Sequence, residues 1–287
     1  MTFSSIGKQR RLEKLFTEGK TVVVPIDDSL LFGPRGGLLD LATTINAIIE
    51  GQPSALLGFK RDIEYVTSAG CGIPFIYNVT ASTVLNAHTK KVLVASVENA
   101  LAAGAECVAA HINFSSQYEN EMLHNFSFVA NECDRFGVPL LAMAYPRSER
   151  DGKDYNYEDI KENYNTEYTE LVAHCTRVVS ELGADIIKTC YTGSAESFKS
   201  VITAACGRPV IIAGGPEVSV DVSLERAIGA IEAGGAGVSY GRNVFNSDHI
   251  VPYLTVAKDI VFGKVALSEA IEKYNRLVGG VYGEAGK

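Results

Sequence analysis

The sequence predicts an α/β protein, a single (β/α)8 TIM barrel with one extra helix ahead of the first strand, and three observations predict it. Short apolar runs rich in Val, Ile and Ala recur along the chain. Stretches with helical periodicity follow them and stop at Gly or Pro, the alternation expected of βα units. The third observation concerns position. Polar residues that do not belong in a strand core fall at the C-terminal ends of the runs: Asp27 and Asp28, His111 and Asn113, Tyr145, and Lys188. An open doubly wound sheet shows the same alternation, but a barrel gathers its chemistry at that one end of its strands, and this decides between the two.

Taken in order, a helix at 12–16 precedes the first strand and is expected to cap the barrel floor. The eight strands are read at 21–27, 54–58, 74–78, 107–113, 138–145, 185–189, 209–213 and 237–240. Helices are expected at 39–50, 61–69, 97–103, 121–136, 167–182, 195–205 and 224–233, with a terminal one at 268–277. Residues 92–96 read as an additional short strand outside the count of eight.

With 287 residues and no low-complexity tract, linker or long charge run, one domain spanning 1–287 is expected. Hydrophobic residues make up 46% and charged ones 21%, a globular balance, so disorder is expected only at 1–5 and 279–287. The net charge of −8 and pI near 5.2 repel nucleic-acid backbones and anionic membranes, so any bound phosphate must be caught locally. There is neither an apolar leader at the N-terminus nor a run of about 18 apolar residues, and a soluble, cytoplasmic protein is expected. The six cysteines lie at wide intervals without ligand spacing to histidine, which reads as reduced, packed thiols, with no disulfide framework and no metal site.

Lys188 is the sharpest chemical signal. The two-residue period of its strand puts it on the face of Ile186, pointing into the barrel. A desolvated lysine loses its proton more easily and becomes a nucleophile toward carbonyls; the plainer alternative is a strand-end lysine reaching solvent. Tyr145 stands where Pro146 forces its strand to stop. Its phenol can move a proton if a neighbouring ammonium or iminium lowers its pKa, or it is simply a rim tyrosine. Asp27 can orient the amine, position a substrate hydroxyl or shuttle protons, or else cap the following turn. Gly214 and Gly215 follow strand seven and Gly241 and Arg242 follow strand eight, the two loops that commonly bind phosphate in barrels. His111 and Asn113 share a face and can bond substrate hydroxyls, although a satisfied core histidine fits equally well. His88, His124, His174 and His249 show no partner pattern.

These residues, and the motifs around them, resemble the archaeal-type class I fructose-bisphosphate aldolases of the DeoC/LacD aldolase family. The likeness is strongest to the branch of 2-amino-3,7-dideoxy-D-threo-hept-6-ulosonate synthases. It runs from Val24-Pro25-Ile26-Asp27 through Met143-Ala144-Tyr145-Pro146-Arg147 and Lys188-Thr189-Cys190-Tyr191-Thr192-Gly193 to Ala213-Gly214-Gly215-Pro216 and Gly241-Arg242-Asn243-Val244-Phe245. The resemblance implies that Lys188 is the Schiff-base lysine, Tyr145 the acid/base and Asp27 an essential carboxylate. It also implies that Gly214, Gly215, Gly241 and Arg242 bind phosphate, that neither metal nor cofactor is needed, and that the protein is a ring-shaped homo-oligomer of five or ten subunits.

The chain departs from the family pattern at Asp28-Ser29, where His-Gly is usual, and at Ser148, where glycine often stands. Residues 149–165 look like an insertion on the catalytic face, carrying Tyr155, Tyr157 and Tyr164, and are expected to form a lid that contacts the acceptor. The function expected is aldol or transaldol chemistry between a phosphorylated keto-sugar donor and an aldehyde such as L-aspartate semialdehyde. Fructose-bisphosphate cleavage, the thiolase step of phosphorylated autoinducer breakdown, and a sugar-phosphate sensor without catalysis are the alternatives. Retention of both Lys188 and Tyr145 argues against the sensor.

Overall fold

The computed structural model describes residues 3–85, 88–150, 153–163 and 165–284. Residues 1–2 and 285–287, at the ends where disorder is expected, and Tyr164 of the insertion lie outside the described residues. Residues 3–5 and 279–284, also expected to be disordered, instead belong to the first and last helices, Phe3–Leu15 and Leu267–Glu284.

Eight parallel strands close into a barrel: β1 Thr21–Pro25, β2 Ala55–Gly58, β3 Phe75–Asn78, β4 Cys107–Phe114, β5 Leu140–Pro146, β6 Ile186–Thr189, β7 Val210–Ala213 and β8 Gly237–Ser239. Closure is made by β1, which pairs with β8 through Thr21↔Gly237 and Val22↔Val238 and with β2 through Val23↔Ala55. This removes the open-sheet alternative, since an open sheet would leave two edges unpaired. The strand residues are buried almost throughout, as parallel strands covered on both faces must be.

All the expected helices form. Phe3–Leu15 lies under the barrel: Lys8 Nζ bonds Asp185 Oδ2 at 2.7 Å and Asp134 Oδ1 at 2.6 Å, and Arg11 Nη1 donates to Gly137 O at 3.1 Å. Asp185 and Gly137 precede β6 and β5, so these contacts sit at the N-terminal mouth, away from the polar strand tips. Residues Val92–Leu93 pair antiparallel with Thr80–Ala81 as a small hairpin outside the barrel.

One long helix, Ile250–Val261, is absent from the sequence expectation. Six of its residues, among them Tyr253, Leu254 and Ile260, are buried, so it lacks a clear polar face, and its β-branched residues and Pro252 obscure a helical pattern. Pro252 sits in the first turn, where no intrahelical N–H bond is lost. Residues 149–165, expected to be an insertion, are also structured where they are described. A hairpin, Ser148–Arg150 with Lys153–Tyr155, and a helix, Tyr157–Asn163, run through them. Four of the cysteines are buried, Cys71 is half-buried and Cys206 exposed. Among the described residues, no helix is long and apolar enough to cross a membrane.

Candidate active site

Strand register brings the polar tips together. Lys188 on β6 stands opposite Met143 on β5 and Ile211 on β7, and His111 on β4 is opposite Met143 from the other side. One layer further toward the C-terminal mouth, Asn113 faces Tyr145. Thr189 Oγ1 donates to Ala144 O at 2.8 Å, which ties the end of β6 to β5 beside the two candidate catalytic groups. A cavity of about 130 Å³ opens above this layer, with Lys188, Tyr145, Asp27, Asp28, His111 and Arg242 among its walls.

Only 7% of Lys188 is exposed. Burial lowers the pKa of its amine below the ordinary 10.5, because removing an ammonium from water disfavours the charged form. Asp27 and Asp28 pull the other way, and Arg242 adds to the lowering. The result is a buried amine with a more accessible neutral form, which carbonyl addition requires.

Asp27 precedes the short helix Asp28–Phe32, yet its side chain makes no cap bond. Instead Oδ2 accepts from Asn78 Nδ2 at 3.0 Å, at the end of β3, so the carboxylate is held toward the cavity instead of its own turn. Asp28 lies 3.6 Å from Arg242 Nε. Its pKa is raised, first by burial and then by Asp27, against the pull of Arg242, Lys188 and Arg35.

The Tyr145 ring packs between two others. His111 meets it edge-on at 5.0 Å, and Tyr157 of the insertion stacks on it at 5.5 Å. Burial pushes the Tyr145 pKa well up, with Cys190, Tyr157 and Asp27 adding and Arg242 opposing. The phenol is therefore held in its protonated form.

His111 and Asn113 both line the cavity. Asn113 is fully buried: Oδ1 pairs with His111 Nε2 at 2.8 Å, and Nδ2 donates to His88 O and Thr89 O. Its polar atoms are thus engaged in holding His111 and the 88–89 backbone. His111 is kept neutral by burial, reinforced by Lys91 and His88. His88, for which no role was expected, also lines the cavity. Burial, with Lys91 and Arg147, pushes its pKa down to about 2, and its ring bonds Ser82 Oγ at 2.8 Å. Nothing in the spacing of the 80s segment marks it.

The two glycine loops meet on the opposite side of the mouth. Gly215 has φ +70°, a conformation that favours glycine. At Gly241 a Cβ would stand 3.0 Å from Pro25 O, so a side chain there would press the loop a few tenths of an ångström away from β1. Asn243 laces the loops together, donating from Nδ2 to Gly214 O at 3.3 Å and accepting at Oδ1 from Val218 N at 2.8 Å. Among the described residues, no group of three His, Cys, Asp or Glu could hold a metal ion.

Residues 21–247 match the family model described as DeoC/LacD family aldolase. The chain is 34% identical to 2-amino-3,7-dideoxy-D-threo-hept-6-ulosonate synthase 1 of Archaeoglobus fulgidus, over 97% of this chain and 100% of that one. It is 34% identical to a 2-amino-4,5-dihydroxy-6-oxo-7-(phosphonooxy)heptanoate synthase of Streptomyces griseus, over 84% of this chain and 85% of that one. Among solved structures it is similar to an archaeal fructose-1,6-bisphosphate aldolase whose catalytic lysine is covalently bound to the carbinolamine intermediate of its substrate. The TM-score is 0.77 and the identity 25%, with 88% of this chain and 99% of the other covered.

Proposed function

The chain belongs to the DeoC/LacD family of aldolases, and from that premise we propose how its own residues carry the chemistry. It is an enzyme of the class I type, which makes or breaks a carbon–carbon bond through a Schiff base. We assign the Schiff base to Lys188, the proton transfers of the bond-making step to Tyr145, and the orientation of the amine to Asp27. The observation that carries this reading is the buried Lys188 amine, set one strand layer below the Tyr145 phenol at the C-terminal mouth.

The names of the relatives narrow the substrate. A 2-amino-4,5-dihydroxy-6-oxo-7-(phosphonooxy)heptanoate is a β-hydroxyketone, so its aldol bond joins C4 to C5. Cutting there leaves an amino-acid aldehyde, the skeleton of aspartate semialdehyde, and dihydroxyacetone phosphate. The same cut in 2-amino-3,7-dideoxy-hept-6-ulosonate leaves the same aldehyde and a three-carbon ketone lacking the phosphate. The shared half is the acceptor. For this chain we assign L-aspartate semialdehyde as acceptor and a phosphorylated ketone as donor, with the donor phosphate held by Gly214, Gly215, Gly241 and Arg242.

In the proposed sequence Lys188 adds to the donor ketone. Asp27 relays protons from nitrogen to the departing oxygen, water leaves, and the Tyr145 phenol then gives its proton by way of Asp27 to the imine nitrogen, which leaves an iminium beside a phenolate. That cation is the electron sink, the part a metal ion plays in other aldol enzymes. Its charge stabilises the phenolate against the burial that had raised the phenol pKa, and the phenolate of Tyr145 takes the proton from the adjacent donor carbon. The enamine attacks the aldehyde, Tyr145 returns the proton to the new hydroxyl, and water releases the ketone product. His111, fixed by Asn113 against the Tyr145 ring, is placed to bond a substrate hydroxyl as a neutral imidazole. The family likeness carries the further expectation of a ring of five or ten subunits.

Two tests follow. Given dihydroxyacetone phosphate and L-aspartate semialdehyde, the protein should form a product with the summed mass of the two. Cleavage of fructose 1,6-bisphosphate with no consumption of the amino-acid aldehyde would make it a fructose-bisphosphate aldolase instead. Replacing Arg242 with Ala should weaken dihydroxyacetone phosphate binding by about 1.5–3 kcal/mol, the range for a charged hydrogen bond. Unphosphorylated dihydroxyacetone should lose far less by calorimetry, and equal losses would make Arg242 a structural residue.

A further inference from the structure

The cavity above Lys188 is small for the reaction assigned to it. At about 130 Å³ it is smaller than the roughly 300 Å³ usual for cavities that bind small molecules. A seven-carbon phosphorylated product must extend beyond it into neighbouring space. A second cavity of about 590 Å³ lies alongside, between the Tyr191–Ala195 segment and the helix Val220–Glu232. The two share walls at Ala213, Gly214, Gly215 and Tyr157, and of these only Tyr157 contributes a large side chain.

Tyr157 is held on both sides. Its ring stacks on Tyr145 at 5.5 Å and 29°, and a Cβ built on Gly215 would stand 3.4 Å from its hydroxyl, so it spans from the candidate acid/base to the glycine loop. It opens the helix Tyr157–Asn163, whose start is fixed by a reciprocal cap: Asn156 Oδ1 accepts from Glu158 N at 2.8 Å, and Asp159 Oδ2 accepts from Asn156 N at 2.9 Å. Lys188, Met143, Tyr145 and His111 sit on barrel strands, whereas Tyr157 comes from the segment that follows β5. A change of its side chain therefore leaves the barrel strands as they are.

Resting on the aldolase reading above, we propose that Tyr157 is the specificity-determining partition of the site. Stacked on Tyr145, it closes the donor chamber over the Lys188 adduct. Displaced, it joins that chamber to the larger cavity, and the room it leaves sets the size of aldehyde that can reach the enamine. It carries no proton in the reaction.

The test separates donor chemistry from acceptor choice. Deuterium exchange at the reactive carbon of dihydroxyacetone phosphate, without acceptor, reports capture by Lys188 and proton transfer by Tyr145. The ratio of kcat/KM for L-aspartate semialdehyde to that for a bulkier aldehyde reports the partition. Tyr157→Ala should retain donor exchange while this ratio falls by about tenfold or more, the scale set by altered pocket volume. Tyr157→Phe, which keeps the wall, should leave the ratio as it is in the parent protein. Tyr157→Trp, which thickens the wall, should move preference toward smaller aldehydes, and this variant decides the matter if Tyr157→Ala does not fold. The proposal is overturned if the ratio is unchanged in Tyr157→Ala and Tyr157→Trp, or if donor exchange in Tyr157→Ala collapses together with condensation. Absence of donor exchange in the parent protein would overturn the aldolase reading itself, and this proposal with it.

Discussion

Replacing Lys188 with Met should abolish covalent capture of the donor and lower turnover by roughly 10⁵-fold or more, the scale seen when a covalent nucleophile is deleted. Methionine roughly keeps the length of the side chain and suits a site only 7% exposed, so the barrel should fold and the glycine loops should still bind phosphate. Borohydride should then trap no adduct, while calorimetry still detects the phosphorylated donor. In the parent protein the rate of capture should rise with pH, since only the neutral amine adds to a carbonyl. Burial lowers the pKa of Lys188, so the midpoint of that rise should lie below 10.5. Asp27 supports the ammonium form, and removing its charge with Asp27→Asn should move the midpoint further down. Arg242 opposes the ammonium, so Arg242→Ala should move it up. Shifts of the opposite sign would mean that these charges do not face the amine.

Tyr145→Phe should separate capture from catalysis. The ring that stacks between His111 and Tyr157 is kept and only the hydroxyl is lost. The adduct should still be trapped, whereas turnover should fall by roughly 10²–10⁴-fold, the usual contribution of general acid–base catalysis. Capture and turnover lost to the same degree would place Tyr145 in adduct formation, and neither lost would leave it a packing residue of the rim.

The parts of this protein legible in its sequence are those governed by local periodicity. A parallel barrel strand is covered on both faces, so β2, β3, β6 and β7 stand out as short apolar runs whose ends lie within a residue of those read from the sequence. The first strand is shorter than read, because it ends at Pro25 and Asp27 already introduces the helix Asp28–Phe32. Lys188, Tyr145 and Asp27 were legible for the same reason, each being a polar residue that closes an apolar strand. That signal also marks Asn78, the partner of Asp27 at the end of β3.

What periodicity does not carry is contact between distant segments. His88 reaches the cavity because Asn113, on another strand, holds its carbonyl, and Tyr157 reaches Tyr145 from an insertion with no apolar repeat. The helix Ile250–Val261 was lost to the opposite problem, burial on so many sides that little polar face remains to count.

The most direct test of the central claim is the site of the covalent bond. The protein is incubated with dihydroxyacetone phosphate, reduced with borohydride, digested and mapped by mass. The reduced donor should appear once per chain, on the peptide that contains Lys188, and disappear in Lys188→Met. An adduct on Lys60 or Lys199, or full turnover by Lys188→Met, would contradict the mechanism proposed for this barrel.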